Sequence, residues 1–97
     1  MSIFKNSTME TFYGSNDVVG EADCEVRFQG GEIIISYATD DGHDIYRGIE
    51  EGAGHYRLTR DGGGGKATLH RFAGDDVLDG YWIEDGAIGM WRITLEE

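Results

Sequence analysis

The chain of 97 residues has no proline, one cysteine and only eight basic residues, and no apolar run in it approaches membrane-spanning length. Without proline, tight turns must be made by Gly, Asn or Asp, which accept the left-handed backbone of hairpin turns. Cys24 alone forms no intrachain disulfide, so packing must hold the fold, and the cytoplasm is the expected compartment. The opening residues MSIFKNSTMETFYG lack the apolar stretch and cleavage site of a secretory signal. Nineteen acidic residues against eight basic ones leave a net charge of −11, which repels phosphate backbones and anionic lipid. Neither nucleic acid nor a membrane is an expected partner. Amphipathic helical spacing is missing as well.

Glycine is abundant, with sixteen residues separating short stretches of alternating apolar and polar side chains. That alternation predicts strands near 20–28, 32–39, 43–50, 54–60, 66–72, 77–84 and 87–95, with an eighth from Met9 to Tyr13. Short links make them antiparallel and sequential. The fold class is therefore all-β: one domain over residues 1–97, an antiparallel meander of seven to eight short strands, curled or closed into a small barrel. Residues 1–8 are left open as a loosely attached N-terminal segment whose Ile3 and Phe4 could plug one end of the core.

Hairpin arithmetic sets the register. A type I′ turn at Asp85-Gly86 pairs Trp82 with Gly89, Gly80 with Trp91 and Leu78 with Ile93 on one face. Tyr81–Met90, Ile83–Ile88 and Asp79–Arg92 fall on the other. Each indole covers a glycine, which either makes room for it or marks a bend in the sheet. A turn at Gly30-Gly31 pairs Phe28 with Ile33, Val26 with Ile35 and Cys24 with Tyr37. A turn at Asp41-Gly42 pairs Tyr37 with Tyr46, Ile35 with Gly48, Ala38 with Ile45 and Ile34 with Ile49. A three-residue loop, 51–53, sets Gly48 against Tyr56 and Tyr46 against Leu58. Beyond the GGGG loop at 62–65, Leu58 faces Leu69 and Leu69 faces Gly80. Phe72 has the wrong parity for the core and signals a bulge or a covered outer face. The inward set is Cys24, Val26, Phe28, Ile33, Ile35, Tyr37, Tyr46, Tyr56, Leu58, Leu69, Leu78, Trp82, Trp91, Ile93 and Leu95.

This meander, with its GxW repeat and late WxI in residues 78–95, resembles the small up-and-down barrels of the avidin and lipocalin type. The resemblance implies a barrel that binds a small ligand inside, and Tyr37, Tyr46, Tyr56, Trp82 and Trp91 are the pocket candidates. Large aromatics in short strands argue against a roomy cavity.

Catalytic and metal chemistry find little support. His43, His55 and His70 share no ligand spacing, and Cys24 lies on the core face, where a thiol is inert. Ser36 has no companions for nucleophilic catalysis, and GGGG is not followed by a phosphate-binding helix. Acidic groups at Asp40/Asp41/Asp44, Asp75/Asp76/Asp79 and Asp17/Glu21/Asp23 lack the ligand order of a calcium loop, and Asx residues already have a role in turns. No catalytic residue, metal ligand or cofactor is assigned, and the chain reads as non-enzymatic.

The outer face is the anomaly. Ile34, Ile45, Ile49, Tyr81, Ile83, Ile88 and Met90 point away from the core and form candidate interface residues. The expected function is an interaction module that forms a homodimer or docks a protein through this face. The alternative is a small-ligand carrier using the barrel interior or mouth.

Overall fold

A computed structural model describes residues 2–12, 18–40 and 42–97. Among the described residues eight strands follow one another: β1 (Ser2–Phe12), β2 (Val18–Gln29), β3 (Glu32–Thr39), β4 (Gly42–Gly52), β5 (His55–Arg60), β6 (Gly65–His70), β7 (Val77–Glu84) and β8 (Ala87–Thr94). Each pairs antiparallel with the next, and β8 returns to β1, closing an up-and-down barrel. Closure pairs Thr8–Phe12 of β1 with Met90–Thr94 of β8, which protects the terminal strands over that stretch.

The inward set is the core. Val26, Ile33, Ile35, Tyr46, Leu58, Leu69, Leu78 and Ile93 are fully buried, Phe28 and Tyr37 pack against them, and Met9 and Ala67 join them. Aliphatic side chains fill the middle, and aromatics gather at the two ends. At the end bearing the 61–64 and 85–86 turns, Trp91 makes edge-to-face contacts with Tyr46 and Tyr37, at 5.0 and 6.1 Å, and lies 6.2 Å from Trp82. At the opposite end Phe28 contacts Phe4 at 5.9 Å and Tyr56 at 5.7 Å, and the Arg71 guanidinium lies over both Phe rings.

Two hairpins keep the register read from the sequence. Asp85 and Gly86 both take positive φ, 50° and 87°, as a type I′ turn requires, and Trp82–Gly89 and Gly80–Trp91 are opposed. Gly30 and Gly31 likewise set Val26 against Ile35. Three other pairings, β3–β4, β4–β5 and β5–β6, are corrected by two residues. The last β3–β4 pair is Thr39–Gly42 rather than Asp40–His43, so Ile35 faces Tyr46, Ile33 faces Gly48 and Tyr37 faces Asp44; Asp41 lies outside the described residues. Ala38 accordingly faces His43, Ser36 faces Ile45, and Ile34 faces Arg47. The β4–β5 link is a bulge at Glu51 followed by a turn at Ala53-Gly54, which sets Gly48 against Leu58 and Tyr46 against Arg60. Leu58 then faces Ala67, and Tyr56 faces Leu69. A slip of two leaves every side chain on its own face, so alternation is blind to it. Curvature decides: a Cβ on Gly48 would collide with the Arg57 carbonyl, so this glycine sits where β5 crosses close over β4.

The glycines opposite the indoles divide in the same way. At Gly89 a Cβ would meet Trp82 Cζ2 at 2.6 Å and collide with the Phe12 carbonyl, so this glycine serves both the ring and closure. At Gly80 the obstruction is the Thr68 carbonyl of β6, not Trp91. That glycine marks a bend.

The N-terminal strand differs most from expectation. It starts at Ser2 rather than Met9, while Tyr13 lies outside the described residues. Residues 2–8, left open above as a loose segment, belong to this strand. One extra residue between Phe4 and Ser7 makes a bulge. There the buried Ser7 hydroxyl donates to the Phe4 carbonyl and accepts from the Glu96 amide, while the Asn6 amide donates to the Glu96 carbonyl. These bonds fasten the C-terminal residues to β1. At the same end of the barrel β6 stops at His70, so Phe72 is a loop residue and is exposed rather than part of a bulged strand.

Candidate functional site

Two regions hold the side chains singled out above. The first is the barrel end that carries the 61–64 and 85–86 turns. Asp44 shares the inward parity of Tyr46, and Glu84 that of Trp82, so both carboxylates project into the barrel mouth. Arg60, inward on β5, lies between them: its Nη2 is 2.9 Å from Asp44 Oδ1 and its Nη1 is 3.4 Å from Glu84 Oε1. Tyr46, fully buried, donates its hydroxyl to Glu84 Oε2 at 2.7 Å, and Tyr37 donates to Asp44 Oδ2 at 3.3 Å. Burial, the Glu84 hydrogen bond and its charge raise the Tyr46 pKa. Burial raises that of Tyr37 too, helped by the charges of Glu84 and Asp44. Both phenols are thus held neutral. The hydrogen bond to Asp44 raises the Arg60 pKa and keeps the guanidinium charged. Among the described residues every buried side-chain N or O atom has a partner.

Above this network lies an open cleft of about 330 Å³, whose lining includes Tyr37, Trp82, Trp91, Asp44 and Glu84. The five pocket candidates therefore do not share one cavity. Tyr37, Trp82 and Trp91 line the cleft, Tyr46 lies below it, and Tyr56 belongs to a different cleft at the far end, with Arg71 and Phe72. Burial raises the Tyr56 pKa as well. The interior between the two ends is filled by the aliphatic core. The sequence placed Asp44 only in an acidic turn group, and Glu84 and Arg60 were not singled out. Their signal was there: each lies at a strand end with inward parity.

The second region is the outer face. Ile49, Phe72, Tyr81, Ile83, Ile88 and Met90 are the exposed large hydrophobics among the described residues, and four of the six sit together on β7 and β8. They form the cross-strand pairs Tyr81–Met90 and Ile83–Ile88. Phe12 of β1 faces Met90 and extends the patch, with Arg92 stacked 5.8 Å from its ring centre. The interface candidates do not make one stripe. In an eight-stranded barrel β3–β4 lies half a turn from β7–β8, and Ile34 and Ile45 are half-buried, which leaves Ile49 as the exposed member there.

The histidines are partly regrouped. His55 and His70 are cross-strand partners with ring centres 4.4 Å apart, whereas the sequence spacing had kept them separate; His43 lies apart on β4. Among the described residues no three His, Cys, Asp or Glu side chains are placed to hold a metal ion. Cys24 is buried, and burial, assisted by the charge of Asp23, pushes its pKa up to about 12. No helix among the described residues is long and apolar enough to cross a membrane. Compared with family models, curated proteins and solved structures, the chain finds no match in any of the three.

Proposed function

We propose that this barrel is a non-enzymatic interaction domain that pairs with a second copy of itself through the outer face of β1, β8 and β7. One observation carries the reading: four of the six exposed large hydrophobics are gathered into two adjoining cross-strand pairs, with Phe12 beside them. Single exposed apolar residues are ordinary on a monomer, but a contiguous set is characteristic of a contact surface. The row next to the patch runs Glu10, Arg92, Asp79 across β1, β8 and β7, alternating in sign. A two-fold pairing can therefore set Arg92 of one copy against a carboxylate of the other, which a rim of one sign could not do. The net charge of −11 opposes non-specific clustering and favours a defined contact. No cofactor enters this reading. It places the domain in the cytoplasm, where a lone thiol such as Cys24 stays reduced.

Sedimentation velocity over a concentration series tests it. The parent chain is expected to move from monomer to dimer with increasing concentration, and Ile88→Asp to remain monomeric with an unchanged far-UV spectrum. A parent that stays monomeric into the high-micromolar range overturns the proposal. So does an Ile88→Asp variant that dimerises as the parent does.

A further inference from the structure

The mouth cleft carries an inference independent of self-association, because it lies at the barrel end rather than on the outer face. Its aromatic lining comes from Tyr37, Trp82 and Trp91, and its charged residues are Asp44, Glu84 and, at the rim, the exposed Glu21; no basic side chain lines it among the described residues. Arg60 approaches from behind and neutralises part of that charge. Counting Asp44, Glu84 and Asp85 against Arg60 leaves three carboxylates to one guanidinium, a residual charge of −2. An anion is repelled here. A purely apolar ligand would strip water from two carboxylates without replacing it, which is costly. A bare metal ion finds no three converging donors among the described residues, and aromatic carbon does not ligate it.

A ligand that satisfies both wall chemistries is an organic cation, whose charge is attracted to aromatic faces and to carboxylates at once. The cleft, about 330 Å³, admits a compact head group but not a long acyl chain. We propose that the cleft binds a small substituted ammonium ion, with Tyr37, Trp82 and Trp91 around the cation and Asp44 and Glu84 supplying the countercharge. Arg60 then acts as a positioning residue. It keeps the two carboxylates apart and anchored, and each retains acceptor capacity beyond the bonds it already makes.

The test uses choline chloride and its uncharged carbon isostere, 3,3-dimethylbutan-1-ol, titrated into the full chain. Trp82 and Trp91 are the only two tryptophans, so intrinsic fluorescence reports directly from the cleft. Sodium chloride at matched ionic strength is the reference. Choline is expected to give a saturable change and to bind about tenfold or more tighter than the isostere. Asp44→Asn should weaken choline about fivefold while leaving the isostere unaffected. Should Asp44→Asn lose the barrel's far-UV spectrum, Tyr37→Leu decides in its place: it keeps an apolar wall, removes the ring and should weaken choline alone. No saturable change beyond the salt reference overturns the proposal, and so does equal affinity for choline and the isostere. Folded Asp44→Asn and Tyr37→Leu variants that both bind choline like the parent overturn it too. Loss of dimerisation has no bearing on these outcomes.

Discussion

One methyl group added at different glycines should change stability in opposite directions. At Gly89, a Cβ would stand 2.6 Å from Trp82 Cζ2 and 2.8 Å from Cε2, and would collide with the Phe12 carbonyl across the β1–β8 seam. Carbon atoms prefer about 3.5–4.0 Å, so the ring must retreat by roughly an ångström. It has little room: Trp82 is only 4% exposed, packs 6.2 Å from Trp91, and donates its indole N–H to the Met90 carbonyl at 3.3 Å. Such overpacking costs about 1–3 kcal/mol, against about 0.4–1 kcal/mol gained by restricting the unfolded chain. Gly89→Ala should therefore lower the melting temperature by roughly 5–15 °C for a domain of this size. Gly80→Ala, which drives a Cβ into the Thr68 carbonyl, should do at least as much harm. At Gly20 the new Cβ would meet only Thr11 Cβ among the described residues, at 3.9 Å, and φ is ordinary. Gly20→Ala should raise the melting temperature by roughly 2–6 °C. Thermal unfolding by far-UV circular dichroism and tryptophan fluorescence, at one fixed protein concentration, gives all three values. If Gly89→Ala and Gly80→Ala melt like the parent, or if Gly20→Ala falls with them, the argument that closure requires these glycines is refuted.

Tyr46→Phe removes the hydroxyl that donates to Glu84 at 2.7 Å and should cost about 1.5–3 kcal/mol, measured by urea unfolding; an unchanged midpoint would show that Arg60 alone satisfies that carboxylate. Stability should fall as pH rises above about 9. The folded chain holds the Cys24 proton up to about 12 and those of Tyr37 and Tyr46 above their ordinary 10.0, while the unfolded chain releases its thiol proton near 9.0. The unfolded state therefore binds fewer protons in that window, and the stabilisation, complete below pH 9.0, is lost with increasing pH. Urea midpoints at pH 8, 10 and 11 check the sign, and a flat profile contradicts it. Cys24 should resist iodoacetamide at pH 8 in native buffer and react fully in urea; rapid native alkylation followed by mass spectrometry would show the thiol to be accessible.

Alternation alone determined the number of strands, most of their bounds and the face of each inward residue. Every residue of the inward set, from Cys24 to Leu95, is buried in or packed against the core, because a side chain's face depends on parity and nothing else. The Asp85-Gly86 and Gly30-Gly31 turns were equally legible, since positive φ at both central positions selects those residues and fixes the pairing locally. Tertiary structure decided the rest. The pairings of β4 with β3 and β5, and of β5 with β6, moved by two residues, a shift that parity cannot register, and Gly48 lies beneath the close crossing of β5. Joining β1 to β8 is a contact between chain ends, which no local pattern encodes, and it alone brings Phe12 beside Met90. Closure also separates Ile49 from Ile88 by half a turn of the wall and gathers Asp44, Arg60 and Glu84, from three strands, at one mouth. The sequence shows which way each side chain points; only the curvature of a closed sheet determines which of them meet.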